Sequence, residues 1–293
     1  MQLDHPYTDE RSWLKGNLHT HTTLSDGSQS VEDVIDTYAQ RGYDFLAISD
    51  HDLFVDPADY RDETGLTLLP AVEVTADGPH LQQVGLHEAP HPDEDRHTVV
   101  ATILDAGGIA ILNHPKYQSH LEHWSAADIR ELATVHGIEL YNGVIERHLG
   151  AATVTDRWDQ LLSEGHHLWG YANDDAHLAT DVGRGWNVVQ SADRSPAAIL
   201  DALATGRFYA STGVSISAIV IDGGRISVET TNATRIQLRS DHGVLQQTVD
   251  GTAATFHVPE QLAHRSGHTY VRVECLGWAG ERAWTQPMYL LDE

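Results

Sequence analysis

The sequence predicts an α/β fold followed by a smaller all-β region. Over residues 1–212, short runs rich in β-branched and aromatic residues alternate with helical patterns, as in a sheet with helical crossovers. Over residues 213–293 the helical patterns stop, and Asp-Gly hairpin signals separate alternating runs. We therefore predict two domains, with the boundary between residues 212 and 213.

The pattern of the first domain predicts a repeat of βα units. Right-handed crossovers between such units give a parallel sheet, either open or closed into a barrel. The strand-like runs cover residues 16–21, 43–49, 66–74, 82–86, 108–112, 137–141, 167–172 and 186–190. The helical patterns cover residues 30–39, 98–106, 126–134, 155–164 and 196–204. Ser30 is a typical N-cap, and glycines after the helical patterns predict C-caps at Gly42, Gly107, Gly137, Gly165 and Gly206.

The second domain is predicted to be a small antiparallel β-sandwich without helices. Its alternating or β-branched runs cover residues 216–221, 225–230, 235–239, 244–249, 254–258, 270–274 and 288–291. We expect such a domain to have a structural role in packing against the first one, where it could also shape the mouth of the pocket.

Charge and cysteine content exclude several functions. With 43 acidic and 18 basic residues, the net charge is −25, whereas binding a long nucleic acid normally requires a basic surface. Cys275 is the only cysteine, so an intrachain disulfide and a thiolate metal cluster are excluded. No apolar run could span a bilayer, and the first residues lack the regions of a signal peptide. We expect a cytoplasmic, soluble protein with no membrane partner.

The segment from residue 16 to residue 27 predicts a metal site. His19 and His21 are two residues apart in a strand-like run, so both imidazoles project from the same face. Asp26 follows in a Ser-Asp-Gly turn, which folds the backbone back towards the histidines. The chain has 20 histidines, more than such a site needs. We expect ordinary roles for His120, His123, His136, His166 and His167.

Further candidate ligands follow the predicted strands. His51, Glu73 and His114 each end a run, and Asp175 and His177 end another. Since the carboxyl ends of parallel strands meet at one edge of a sheet or barrel, these side chains are predicted to converge. Glu73 stands in a buried strand sequence, where an unpaired carboxylate would be costly.

The donor set predicts the chemistry. Nitrogen and oxygen ligands without thiolates suit manganese, zinc or iron, and their number exceeds what one ion takes. We expect two or three divalent ions with Glu73 as the bridging carboxylate. Such a centre lowers the pKa of a bridging water, so that hydroxide attacks an ester at neutral pH.

These motifs resemble those of the PHP (polymerase and histidinol phosphatase) superfamily. They are His-Thr-His-Thr-x-x-Ser-Asp-Gly, Ala-Ile-Ser-Asp-His-Asp, the strand glutamate, Asn-His-Pro and Asp-Asp-Ala-His, within residues 13–210. The segments Gly-Arg-Phe-Tyr-Ala-Ser-Thr-Gly and Ala-Trp-Thr-Gln-Pro are similar to the CehA/McbA-like branch, which appends a β-sandwich. The resemblance implies a distorted (βα)7 barrel with a di- or trinuclear centre.

The resemblance also implies how the ligands divide among the ions. The first ion would be held by His19, His21, Glu73 and Asp175, the second by Glu73 and His114, and the third by Asp26, His51 and His177. The second ion needs a further ligand, for which His80 and His87 are the candidates. Where some relatives carry a histidine or cysteine at a later strand end, this chain offers Glu139 or Asn142.

Most of the superfamily cleaves phosphoesters, so a small phosphorylated substrate is expected. Lys116 and Arg184 are the basic residues predicted to meet the phosphate and, with Glu73 and Asp175, to act in catalysis. Arg207 and Tyr209 are weaker candidates. Two alternatives stay open: hydrolysis of a carbamate or carboxylic ester or amide, and a non-catalytic binding protein braced by metals. The substrate and the oligomeric state do not follow from the sequence.

Overall fold

The computed structural model describes residues 2–8, 12–60, 64–118, 120–132, 134–263 and 269–291. Its strands are β1 (Leu3–Asp4), β2 (Trp13–Asn17), β3 (Phe45–Ile48), β4 (Thr67–Val74), β5 (Leu81–Val84), β6 (Ile109–Leu112), β7 (Gly137–Asn142), β8 (Trp169–Asn173), β9 (Trp186–Gln190), β10 (Phe208–Ser211), β11 (Ile216–Asp222), β12 (Arg225–Thr230), β13 (Arg235–Ser240), β14 (Val244–Asp250), β15 (Ala253–His257), β16 (Tyr270–Leu276), β17 (Arg282–Thr285) and β18 (Met288–Leu290). The helices are α1 (Val31–Gln40), α2 (Arg96–Asp105), α3 (Ala126–Glu131), α4 (Thr155–Ser163), α5 (Pro196–Ala204) and α6 (Glu260–Ala263), with 3-10 turns at Pro57–Tyr60 and Val144–Arg147.

A curled half-barrel sheet forms the first part of the chain. Its strands lie in the order β9, β2, β3, β4, β5, β6, β7, β8. The pairs β2–β3, β3–β4, β6–β7 and β7–β8 are parallel. Strand β5, however, is antiparallel to β4 and to β6, and β9 is antiparallel to β2. The expectation of a wholly parallel sheet is therefore wrong, because only a short hairpin joins β4 to β5 and a parallel connection needs a dozen or more residues.

Side-chain amides join the two ends of this half-barrel. The Asn187 side chain on β9 accepts a hydrogen bond from the Ala172 N–H at 3.0 Å and donates to the Ala172 carbonyl at 2.9 Å. The Asn173 side chain accepts from the Leu18 N–H at 3.2 Å. These bonds hold the carboxyl end of β8 beside that of β2.

The helix signals are largely confirmed. The Ser30 side chain accepts from the Asp33 N–H and caps α1. Gly42, with φ of 71°, adopts the left-handed conformation that a C-cap requires. Gly137 does not cap a helix, because it begins β7, where a Cβ atom would lie 2.0 Å from the Trp169 carbonyl oxygen.

The second part of the chain is β-rich. Strands β11, β12 and β15 form a three-stranded antiparallel sheet. Strands β13, β14, β16, β17 and β18 continue the large sheet through pairing of β17 with β10 and of β18 with β1. Apolar residues of both sheets share one buried cluster. The prediction of no helix in this region is wrong, because α6 lies there, and β17 was not predicted.

None of the helices in the described part of the chain combines the length and apolarity needed to cross a bilayer.

Candidate metal centre

Glu73 lies at the centre of the candidate site. Its side chain is 1% exposed. Its Oε1 atom lies 3.1 Å from His80 Nδ1, 3.1 Å from His114 Nε2 and 3.3 Å from His19 Nε2. Its Oε2 atom lies 2.9 Å from His51 Nδ1 and 3.4 Å from His21 Nε2. One buried carboxylate therefore faces five imidazoles.

Strand direction explains why these histidines meet. His19 and His21 follow β2, His51 follows β3, and His114 follows β6, so all four lie at carboxyl ends. His80 immediately precedes β5, and because β5 is antiparallel to β4 and β6, its amino end lies at the same edge.

His87 lies at the other end of β5. It lines a separate, mostly apolar cavity with Pro70 and Leu200, and its side chain does not approach Glu73. Of the two candidates for the second ion, the structure brings only His80 into the cluster.

Asp175 joins the cluster from the segment after β8. Its Oδ1 atom lies 3.2 Å from both His19 Nε2 and His21 Nε2. Asp175 and His114 have φ angles of 53° and 28°, which are unfavourable for residues other than glycine. Such local strain at two converging side chains is typical of functional sites.

A second group of side chains lies towards solvent. Asp26 Oδ1 is 3.4 Å from His51 Nε2, 3.3 Å from His177 Nε2 and 3.8 Å from His21 Nδ1. The Asp26 side chain is 55% exposed, whereas that of His21 is fully buried. The ligand atoms of these four residues lie within 4.8 Å of one another.

Glu139 orients the cluster from behind. Its carboxylate accepts hydrogen bonds from His19 Nδ1 and the His114 backbone N–H, both at 2.8 Å. It also accepts from the amides of Asn142 at 2.8 Å and Asn173 at 2.9 Å. When the His19 ring is neutral, donation from Nδ1 to Glu139 leaves Nε2 as an acceptor directed at Glu73 and Asp175, as for a metal-binding imidazole.

Asp50 and Asp174 support the surrounding loops, although the sequence did not single them out. Asp174 accepts hydrogen bonds from the backbone N–H groups of residues 183–185 and from the Tyr38 hydroxyl. Asp50 accepts from the N–H and hydroxyl of Thr22, beside His21. Burial raises the pKa of Asp174 to about 6, although the hydrogen bonds that Asp174 itself accepts oppose the shift.

The carboxylates at the centre are ionised at neutral pH. Burial alone would raise the pKa of Glu73, but His19 and His80 hold that pKa well below its usual range. The same balance, with His19 and His21 outweighing burial, lowers the pKa of Asp175. Burial disfavours protonation of His19, yet Asp175, Glu73 and Glu139 raise its pKa well above the ordinary value.

The donor set fits divalent cations. His19 Nε2, His21 Nε2 and Glu73 Oε2 are buried, and none has a hydrogen-bond partner among the described residues. Buried polar atoms without partners are rare and costly. Converging imidazole nitrogens and carboxylate oxygens without thiolates match the preferences of zinc, manganese or iron.

The cluster opens into a cavity of about 500 Å³. Its lining residues come from both ligand groups and from the loops around them: Asp26, His51, Glu73, His80, His114, Tyr117, Val144, Arg147, His148, Asp175, His177 and Leu178. Arg147 is the basic residue among them, and its guanidinium lies 2.8 Å from Asp181.

The structure does not bring Lys116 or Arg184 into this lining. The Lys116 ammonium lies 2.6 Å from Asp156. Arg184 pairs with Glu146 at 3.1 Å and lines a different cavity. Arg207 pairs with Asp201.

His123, for which we expected an ordinary role, lies against the cluster. Its ring centroid is 4.5 Å from that of His80 and 4.8 Å from that of His114. Burial and the neighbouring His114 and His80 lower the pKa of His123 to about 3, so its ring is neutral at pH 7. No local sequence signal predicts this position of His123, because it depends on the path of the loop after β6.

Two comparisons relate the chain to PHP proteins. The family model described as "PHP-associated" matches residues 162–208. The fold is similar, over 95% of this chain and 94% of the other, to a two-domain protein from Bacteroides vulgatus ATCC 8482 containing a predicted PHP-like metal-dependent phosphoesterase, with a TM-score of 0.59 and 18% identity. Residues 162–208 and the overall fold are therefore similar to those of PHP proteins.

Other proteins match shorter parts of the chain. A segment of 46 residues is 37% identical to the DNA polymerase/3'-5' exonuclease PolX of Bacillus subtilis (strain 168). That segment covers 16% of this chain and 8% of the relative. A metal-dependent phosphoesterase, so described, from Bifidobacterium adolescentis ATCC 15703 aligns over 55% of this chain and 87% of its own, with 16% identity and a TM-score of 0.45.

Proposed function

We propose that this protein belongs to the PHP superfamily and is a metal-dependent hydrolase that cleaves a phosphoester of a small molecule. The observation that carries the proposal is the buried Glu73 carboxylate, which faces five imidazoles within 3.4 Å beside a cavity of about 500 Å³. The Bacteroides protein, named as containing a PHP-like metal-dependent phosphoesterase, supports the choice of ester.

Two or three ions of manganese, zinc or iron would divide the ligands. The first would be held by His19, His21, Glu73 and Asp175, the second by Glu73, His80 and His114, and the third by Asp26, His51 and His177. When bound, such ions polarise the ester and make a water nucleophilic at neutral pH.

The protein itself contributes orientation and charge. Glu139 fixes the His19 ring and the His114 backbone. Arg147 lies in the cavity wall, where its guanidinium can pair with an anionic group of the substrate. Asp181 holds Arg147 and also accepts the backbone N–H of His177 at 3.2 Å, which links the anion contact to a ligand segment.

Arg147 replaces Lys116 and Arg184 in this proposal. Both predicted residues point to carboxylates outside the cavity, at Asp156 and Glu146. Glu73 and Asp175 keep their predicted roles as ligands that also contact the reacting groups.

Hydrolysis of a carbamate or carboxylic ester by the same centre is the second candidate. Arg147 is the one arginine or lysine among the described residues that line the cavity, and Asp181 already neutralises it. A cavity with so little positive charge of its own suits an uncharged carbonyl ester. We also propose the CehA/McbA-like branch, with a distorted (βα)7 barrel, in which the β4–β5 hairpin interrupts the repeat, and a sandwich from residue 213, since the Bacteroides relative has two domains.

Long nucleic acid is not part of the proposal. The Bacillus subtilis relative is named as a polymerase and exonuclease, but only a short segment matches it. A net charge of −25 repels a polyanion.

The test is turnover by the purified chain with and without metal. The protein is stripped with a chelator, reloaded with manganese, zinc or iron(II), and assayed with an aryl phosphate, an aryl carbamate and a single-stranded oligonucleotide. Phosphate turnover only in the reloaded sample is the expected result. Carbamate turnover alone would replace phosphoester chemistry with carbonyl chemistry, and bound metal without turnover of any ester would favour a non-catalytic, metal-braced binding protein.

A further inference from the structure

The second metal position lacks a ligand from β7. Glu139 on this strand is fully engaged, since four donors occupy its two oxygens. The Asn142 amide donates to Glu139 and Asp175, and its oxygen accepts from the N–H groups of Val144 and Ile145. Neither predicted candidate is free to bind an ion, and Glu73, His80 and His114 alone leave the shell incomplete.

A loop supplies another imidazole at this place. One ring nitrogen each of His80, His114 and His123 lies within 4.8 Å of the others. His123 Nδ1 is buried and has no hydrogen-bond partner in the described ranges of the chain. Tyr117 stacks on the His123 ring, with centroids 4.7 Å apart and planes inclined by 14°.

The loop that carries His123 is built to hold it there. The N–H groups of His123 and Trp124 donate to the Pro115 carbonyl at 3.1 and 3.3 Å, so the chain folds back on itself after His114. The Trp124 side chain is buried, and its indole N–H donates to the His80 carbonyl at 2.6 Å. Arg157 donates to the Trp124 carbonyl. Trp124 thus fixes the spacing between His80 and His123.

We propose that His123 is a ligand of the second metal ion and completes a shell of three imidazoles and the Glu73 carboxylate. Four ligands of this type match the coordination that zinc takes in proteins. The loop histidine takes the place of a ligand from the end of β7. This inference rests on the proposed metal centre, but it concerns metal binding and not turnover.

The first test is metal content. His123→Ala and the matched control His120→Ala, which changes an exposed histidine of the same loop, are stripped, reloaded with zinc and analysed by mass spectrometry. We expect His123→Ala to lose about one ion per chain, or to bind it at least about tenfold more weakly. Content and affinity equal to those of His120→Ala would overturn the proposal.

The second test uses a replacement that can itself bind metal. Cobalt(II) bound by His123→Cys should show a thiolate-to-cobalt charge-transfer absorption, because a thiolate is a good ligand for this ion. The wild-type chain should lack this absorption, since Cys275 is buried away from the site, and His120→Cys serves as the control. A folded His123→Cys variant that binds cobalt without the absorption would contradict the assignment. Loss of ester hydrolysis with these spectra intact would count against the proposed function alone.

Discussion

Two clusters of buried charged side chains differ in whether other protein groups satisfy their hydrogen bonds. At the contact between α4 and β16, the Arg272 guanidinium makes two hydrogen bonds of 2.7 Å to Asp159, which also accepts the Tyr270 hydroxyl at 2.7 Å. Around Glu73, by contrast, the buried Nε2 atoms of His19 and His21 have no hydrogen-bond partner among the described residues.

The difference separates a structural cluster from a functional one. Asp159 and Arg272 carry opposite charges, lie in an Arg–carboxylate fork and connect the half-barrel to the β-rich region. The cluster at Glu73 brings together carboxylate oxygens and imidazole nitrogens, several of which are buried without a hydrogen-bond partner among the described residues. The proposed cations would satisfy these atoms. A buried charge alone therefore does not identify the candidate site. Converging ligand atoms that are buried without hydrogen-bond partners do identify it.

The largest expected effect comes from the central carboxylate. Glu73→Gln keeps the size of the side chain and removes the charge that opposes cation repulsion. Activity should fall by more than about 100-fold, because even residues behind the ligands account for 10–100-fold in such sites. Kinetic assays together with metal analysis measure this. Glu88→Gln, at an exposed position, is the control, and a Glu73→Gln enzyme as active as that control would refute the role of Glu73.

A substitution in the cluster of Arg272 and Asp159 should reduce the stability of the fold and not the metal content. Arg272→Met leaves Asp159 buried without its cation, whereas Glu274 keeps Arg239 and Arg282. The loss should reduce the free energy of unfolding by about 3–5 kcal/mol. Urea denaturation measures the loss, while metal content per folded chain stays unchanged. Arg225→Met removes an exposed pair with Asp222 and should change stability by less than about 1 kcal/mol. Equal effects of the two substitutions would contradict the account of this cluster.

Glu139 tests whether the carboxylate behind the ligands matters. Glu139→Gln replaces an acceptor of four hydrogen bonds by an amide, so His19 loses its orienting partner. Metal affinity or kcat should fall about 10–100-fold with the fold retained. Isothermal titration of the stripped variant with zinc measures the affinity, and circular dichroism checks the fold. Unchanged affinity would show that His19 is oriented without it.

The smallest expected effect concerns the cavity wall. Arg147→Met should raise KM for an aryl phosphate about tenfold, since a hydrogen bond to a charged group is worth about 1.5–3 kcal/mol in buried settings and less where solvent reaches it. The KM for an aryl carbamate should not change. Steady-state kinetics on both substrates distinguish these outcomes, and equal changes for both would remove Arg147 from anion recognition. Lys116→Met, outside the cavity, is the control.

The site residues that could be predicted from the sequence are those at the ends of predicted strands. His51, Glu73 and His114 follow recognisable strand-like runs, so their convergence could be expected from the sequence. His80 required the direction of β5, which the absence of a helical pattern between residues 74 and 82 could have indicated. The placement of His123 depends on Trp124 packing beneath His80, a tertiary contact with no periodic signal. Lys116 was misleading because its neighbours in sequence are close to the cavity, while its ammonium turns to Asp156.

The elements of the fold also divide into those that local sequence signals predict and those that depend on long-range pairing. Helix α1 was predictable because Ser30 and Gly42 provide local capping signals. Strand β17 was not, because Arg-Ala-Trp-Thr is a short run whose pairing with β10 and β16 decides its conformation. Local chemistry therefore predicted elements with their own signals, and long-range pairing supplied the others.

The proposed metal centre is tested most directly by the metal content of the wild-type chain after purification and dialysis, measured by mass spectrometry per mole of protein. We expect two or three equivalents of manganese, zinc or iron, lost on chelation and recovered on reloading. A chain that holds no metal, and takes up none when these ions are added in excess, would contradict it.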